Sequence, residues 1–251
     1  MFRFISMTLL VLATGCAVSQ KQEQELGRQL WTLEFGFRGQ SRDIRAVSIL
    51  ERVSSRVITI ANCSDQIKGS ILVEAYGSDA VCLSGGKVTV YANMLPIIQD
   101  EASLAVVVSH LLAHLNLGHY RQRLGESLTI NLPINIVRNF TGGMVLSRPG
   151  IAMEVFGVHS QLNIPLPFSS EQEAEADKLG LQYLACAGYE PRAATAFWAR
   201  SSNKCNFFLL HPNNKGRLEH LRELLPEALI LYNNAPRQYG NGESLQQEQT
   251  P

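Results

Sequence analysis

Two histidines four residues apart, His110 and His114, stand in the run "SHLLAHLNLGH" from Ser109 to His119. On a helix that spacing is one turn, so both imidazoles leave the same face and can reach a single ion. The surrounding run, which opens at Ala102, is apolar, and a buried helix with two satisfied histidines would look the same. A metal that does chemistry needs a third protein donor, and "SSEQEAEADKLG" offers one. Glu173 would sit early on a second helix, with Asp177 one turn later on the same face. Asp177 is then placed to accept the outer N–H of a metal-bound imidazole and fix its tautomer. Without the histidines, this acidic stretch would read as a solvated helix start.

Such donors need elements to hold them. From about Glu23 to Ala61 the pattern is helical, with Ile44, Val47, Ile49, Leu50 and Val53 recurring among charges. "GSILVEAY" and "AVCL" read as short strands around the turn "GSD", and "KVTVYANML" alternates like a strand after the turn "SGG". Asp100 is expected to cap the histidine helix. Ser169 or Ser170 should cap the helix of Glu173, which ends at a Gly188 turn before another helix near Pro191. A last helix covers "NKGRLEHLRELLPEAL". Residues 125–168 carry prolines at 133, 149, 165 and 167 and read as a long insertion with short helices, a candidate lid. The polar residues 235–251 are expected to be a disordered tail.

The chain of 251 residues suits one sizeable domain, predicted here over 23–234. With 45% hydrophobic and 18% charged residues it can bury a core, which excludes a disordered chain. A net charge of zero excludes an electrostatic nucleic-acid footprint. The start "MFRFISMTLLVLATGC" has a basic residue, an apolar core and small residues, the pattern of a secretory signal over residues 1–15. "LATGC" resembles a bacterial lipobox, which implies cleavage before Cys16 and attachment of lipid to its thiol. An ordinary cleaved signal with an incidental cysteine is the alternative. Ala17 after Cys16 implies the outer membrane, with the domain facing the periplasm and residues 16–22 as a polar tether. Four cysteines remain: Cys63, Cys82, Cys186 and Cys205. Export and an even count permit two disulfides, and the local pairing Cys63–Cys82 with Cys186–Cys205 is preferred to the two crossed ones. Four buried thiols are the other reading.

"HLLAH", then "EAEAD", "AGYEPRAA" and "HPNNKGRLEHL", match in order the zinc metallopeptidase family of HtpX, BepA and the CAAX prenyl proteases. Upstream, "DAVCLSGGKVTVYANML" resembles that family's strand pair, with Asp79 in place of its asparagine. The resemblance runs from about Arg42 to Pro226. It implies an α+β fold, a mainly helical zincin-like (gluzincin) domain with a small β-sheet beside the active-site helix. It further implies zinc held by His110, His114 and Glu173, with Asp177 behind them and His211 and Arg217 lining the cleft. Ala80, Val81, Cys82 and Leu83 would form an edge strand that accepts an extended peptide.

The chain departs from the family at one position. HExxH peptidases use the glutamate to take a proton from the attacking water and pass it to the leaving amine; here Leu111 stands in its place. General acid–base catalysis supplies about 10²–10⁴-fold in rate. Glu171 and Glu175 lie on other faces of their helix and make poor substitutes. The expectation is a lipid-anchored, zinc-binding protein with weak or lost proteolysis, holding an extended polypeptide or an outer-membrane assembly protein. A working endopeptidase with a base supplied elsewhere, and a metal-free structural envelope lipoprotein, are the alternatives.

Overall fold

Residue Ser19 sets the first helix. Its hydroxyl accepts from the Gln22 N–H while the Gln22 side chain accepts from the Ser19 N–H, a closed capping box that opens α1 (Gln20–Phe35). The computed structural model describes residues 18–36, 38–74, 80–123, 168–201, 211 and 215–246. Val18 is buried and α1 starts at Gln20, so the domain begins inside the stretch expected to be a tether. The expected tether is too long because residues 19–22 are polar, yet they form the capping box and first turn of a helix that buries Leu26, Leu30 and Phe35. Cys16, the signal residues, Asp79, Cys205 and all of the 125–168 insertion except Phe168 lie outside the described residues.

The single helical stretch expected from about Glu23 to Ala61 is two helices, interrupted around "GFRGQS". Here Gly36 ends α1, and Gln40 bridges to Val73 before α2 (Ile44–Ile60) begins under an Asp43 cap. Residues Ala46, Val47, Ile49, Leu50, Val53, Val57 and Ile58 of α2 are buried, the i, i+3, i+4 stripe that packs a helix on a core. Three short strands follow, β1 (Ser70–Val73), β2 (Ala80–Cys82) and β3 (Val88–Tyr91), in spatial order β1-β3-β2. β1 pairs parallel with β3, Ser70 opposite Val88, and β2 pairs antiparallel with it, Ala80 opposite Val90. β2 is therefore an edge of the sheet. Ala80, Val81, Cys82 and Leu83 are nonetheless all buried, at 2% exposure or less.

The central element is α3 (Glu101–Asn116), where every residue from Glu101 to Leu115 is buried. A helix apolar on all sides belongs inside the core, and this one is wrapped by α2, by β2, by α4 (Ser170–Cys186) and by α5 (Arg192–Ser201). α6 (Lys215–Asn233) closes against α4 and α5. Gly180 lets α4 approach α3 closely: a methyl group there would stand 3.1 Å from both Cα and N of His110.

The region after α6 is ordered over residues 235–246, in contrast to the disordered tail expected from its composition. Its carbonyls do the work. The first N–H groups of a helix lack partners within the helix, and in α3 those of Glu101 and Ala102 donate to Glu243 O (3.0 Å) and Asn241 O (3.1 Å). Tyr239 N donates to Gly188 O, and Glu190 N to Gly240 O. The Glu243 carboxylate meets Arg45 and Arg52. Gly240 and Gly242 take positive φ values of 63° and 68°, which lets the segment fold back.

Among the described residues Cys63, Cys82 and Cys186 are free thiols, so the expected Cys63–Cys82 bridge is not formed; Cys205, the expected partner of Cys186, lies outside the described residues. Cys63 Sγ instead meets Asn116 Oδ1 at 3.1 Å, and burial raises its pKa to about 11 against the opposing effect of Asn116. An even cysteine count reports only that pairing is permitted; here the burial of Cys63 and Cys82 makes them core residues.

Candidate metal centre

One turn of α3 brings His110 and His114 to the same side, their Nε2 atoms 3.0 Å apart. Glu173 comes from the first turn of α4, after the capping box of Ser169 and Gln172, with Oε1 3.5 Å from His114 Nε2 and Oε2 3.3 Å from His110 Nε2. His211 supplies a fourth donor: its Nδ1 lies 3.0 Å from His110 Nε2 and 3.0 Å from Glu173 Oε1. All four residues are buried, and their donor atoms lie within 4.8 Å of one another.

The donor set fits a zinc-like cation. Donors bound at about 2.0–2.1 Å around a tetrahedral ion stand roughly 3.3 Å from each other; the five close contacts here run from 3.0 to 3.5 Å, within a set whose donor atoms lie within 4.8 Å of one another. Three imidazole nitrogens facing a carboxylate are ligand types that zinc takes. Glu173 Oε2 also lies 2.7 Å from Arg217 Nη1, an ion pair that keeps the carboxylate charged at the edge of the set. Asp177, one turn after Glu173, meets His110 Nδ1 at 3.0 Å. That contact holds the proton of His110 on Nδ1 and leaves Nε2 with its lone pair toward the cluster.

Arg217 ties the carboxylates together. Its Nε and Nη2 donate to Asp177 Oδ2 and Oδ1, each at 2.6 Å, and its guanidinium lies 3.4 Å from the centre of the Trp198 ring. Burial alone would raise both carboxyl pKa values. For Glu173 the charges and hydrogen bonds of His211, His110 and His114 outweigh it, and for Asp177 those of Arg217 and His110 do, so both stay ionised. Burial, with the His110 charge, presses His114 well below the ordinary imidazole range and His211 down to about 4. For His110, burial and Arg217 act downward, Asp177 and Glu173 act upward, and the net shift is up. His114 and His211, kept neutral by burial, present lone pairs beside two ionised carboxylates, the electrostatics of a cation site.

Of the residues singled out from the sequence, the structure brings His110, His114, Glu173, Asp177, His211 and Arg217 together. His211 is nearer the centre than a cleft-lining role required. Leu111 is 2% exposed and lines a small apolar hollow with Ala80, Val107, Phe197 and Trp198, bordered by His110 and His211. Glu171 is exposed, and Glu175 turns from the cluster toward His119. Neither carboxylate belongs to the donor cluster. Sequence reasoning missed Phe168, which stacks on His114 with ring centres 3.9 Å apart, and gave no role to His119, whose Nδ1 is 2.9 Å from His114 Nδ1. Gly118 was the available signal for His119: its φ of 73° ends α3 in the left-handed turn that sends the next residue back toward the helix. His220 lies on α6, outside the cluster, and His159 lies outside the described residues.

A family model described as peptidase family M48 matches residues 47–225. Similar proteins include the mitochondrial metalloendopeptidase OMA1 of Schizosaccharomyces pombe, 29% identical over 190 residues, covering 72% of this chain and 53% of that protein. OMA1 of Arabidopsis thaliana is 30% identical over 161 residues, 61% of this chain and 31% of the relative. The beta-barrel assembly-enhancing protease of Escherichia coli K12 is 22% identical over 221 residues, 84% of this chain and 45% of the relative. The matched region thus spans about half or less of these relatives' length.

Proposed function

Because the chain belongs to peptidase family M48, we propose that it is a zinc-binding envelope protein of that family whose proteolysis is weak or lost. The residue that carries this reading is Leu111, buried in an apolar wall at the position where the family's motif places its base. Zinc, when bound by His110, His114, Glu173 and His211, would polarise a peptide carbonyl and make water more acidic. The protein's own groups must then move the proton, and leucine cannot. Among the described residues, the two carboxylates at the cluster are committed, Glu173 as a donor and Asp177 to His110 and Arg217. Four protein donors also complete a tetrahedral set, whereas catalytic zinc sites keep one position open. Both features favour holding over cutting.

In this reading the protein is anchored to the outer membrane through lipid on Cys16 and faces the periplasm. Among the described residues no helix is long and apolar enough to cross a membrane. Its ligand is an extended polypeptide or an outer-membrane assembly protein, engaged along β2 from Ala80 to Leu83. The beta-barrel assembly-enhancing protease among its relatives supports that choice of partner. β2 is a sheet edge, but its burial means that a peptide must displace whatever covers it. The test is metal analysis and cleavage of unfolded casein by the purified mature chain, beside a His110→Ala/His114→Ala control. The expected result is about one zinc per chain in the native protein only, and casein loss no faster than the control. Cleavage well above the control would instead assign a base outside the residues considered. Absence of zinc would leave a structural lipoprotein.

A further inference from the structure

His119 lies outside the donor cluster yet is buried to 3% exposure. Among the described residues its polar contact with the cluster is Nδ1 to His114 Nδ1 at 2.9 Å, and its opposite nitrogen meets Glu175 Oε2 at 3.1 Å. The three residues form a line from the centre of the site to the surface, where the Glu175 side chain is 64% exposed. The proton positions along that line are fixed by chemistry. His114 can offer a lone pair from Nε2 only if its proton sits on Nδ1. That proton must be accepted by His119 Nδ1, so His119 carries its own proton on Nε2 and donates it to the Glu175 carboxylate. No other arrangement gives both contacts a donor and an acceptor while the rings are neutral. The same logic serves His110 through Asp177, so each α3 histidine has its outer nitrogen held by a different element.

We propose that His119 is a positioning residue for the metal site, fixing His114 as the Nδ1–H tautomer, with Glu175 fixing His119 in turn. This rests on the zinc-binding reading above for its purpose, but the tautomer can be read without metal. Loss of an outer-shell partner of this kind typically lowers metal affinity by about 10–100-fold.

The experiment is nitrogen-15 NMR of the imidazole rings in metal-free protein, with zinc affinity by competition against a chelator, on the native chain, His119→Leu, His119→Asn and Glu175→Leu. The native metal-free chain should show His114 protonated on Nδ1. His119→Leu should lose that preference and bind zinc about 10–100-fold more weakly. His119→Asn should recover most of both, because its amide oxygen can accept where Nδ1 did. Glu175→Leu, at an exposed position where water can substitute, should lose only a few-fold. A native His114 protonated on Nε2, or a folded His119→Leu with native zinc affinity, overturns the proposal. Should His119→Leu fail to fold, the native tautomer and His119→Asn still decide. A native chain that shows the Nδ1–H tautomer but takes up no zinc would refute the zinc reading alone.

Discussion

Replacing Leu111 with glutamate puts a carboxyl into a site that is 2% exposed, against Val107, Phe197 and Trp198. Its effect on stability depends on whether metal is present. Without metal, burial in apolar surroundings can raise a carboxyl pKa to roughly 8–9, while the unfolded chain ionises near about 4.3. Below about pH 4 both states are protonated and ionisation contributes nothing. As pH rises, the unfolded state loses its proton first, so the folded state loses about 1.4 kcal/mol per pH unit until its own pKa is reached. At pH 7 the loss reaches about 3–4 kcal/mol, a large part of the roughly 5–15 kcal/mol that holds a domain together. A cation on His110, His114 and Glu173 would offset most of it. The restored carboxylate should also raise peptide hydrolysis by up to about 10²–10⁴-fold, the contribution of general acid–base catalysis. Denaturant unfolding of native and Leu111→Glu chains at pH 5 and pH 7, with and without zinc, reads the first effect; cleavage of a broad peptide library reads the second. A stability difference that ignores both pH and zinc would refute the placement of Leu111 beside a metal. Rescue by zinc with no cleavage would show that the residue at position 111 is not by itself what limits hydrolysis.

Gly180→Ala gains about 1 kcal/mol of helix propensity but drives a methyl to 3.1 Å from the His110 backbone. Overpacking of this kind costs about 1–3 kcal/mol, so thermal unfolding should show net destabilisation and zinc titration a weaker site. Glu23 is 1% exposed, and burial raises its carboxyl pKa to about 7 despite Arg121. Because the folded value exceeds the unfolded one, Glu23 favours the fold below about pH 4.5 and loses that benefit as pH rises to 7. Glu23→Gln should therefore stabilise the chain by roughly 1–3 kcal/mol at pH 8 and by little at pH 4, measured by urea unfolding at both. Cys63 and Cys82 should resist a thiol reagent in the folded protein and react fully in denaturant without any reductant. Peptide mapping checks this, and a mapped Cys63–Cys82 bridge would contradict the free thiols.

What was legible in the sequence was what is periodic and local. The pairs His110–His114 and Glu173–Asp177 are each one helical turn apart, so a correct helix assignment alone puts each pair on one face. The Asp100 and Ser169 caps were legible for the same reason. The start of α1 was misjudged because Gln20, Lys21 and Gln22 are polar and read as tether, whereas the Ser19–Gln22 capping box makes them the first turn of the helix. The segment 235–246 was misjudged because what orders it is main-chain hydrogen bonding and two glycines at positive φ, neither of which composition reports. His211 and His119 reach the site through tertiary proximity and a glycine turn, and no spacing rule announces either.

The carbonyls that complete α3 at its amino end come from Glu243 and Asn241, roughly 140 residues further along the chain, a separation typical of slow, non-local closure. A ribosome releases the chain amino end first. For most of that passage the histidine helix has its first turn hydrated, and Glu101 lacks the carbonyl that its N–H finally meets. The entropy of closing so long a loop rises only with the logarithm of its length, so the equilibrium fold loses little by this arrangement. The kinetics are affected more: the helix that bears the site becomes complete only when the last described turn of chain arrives.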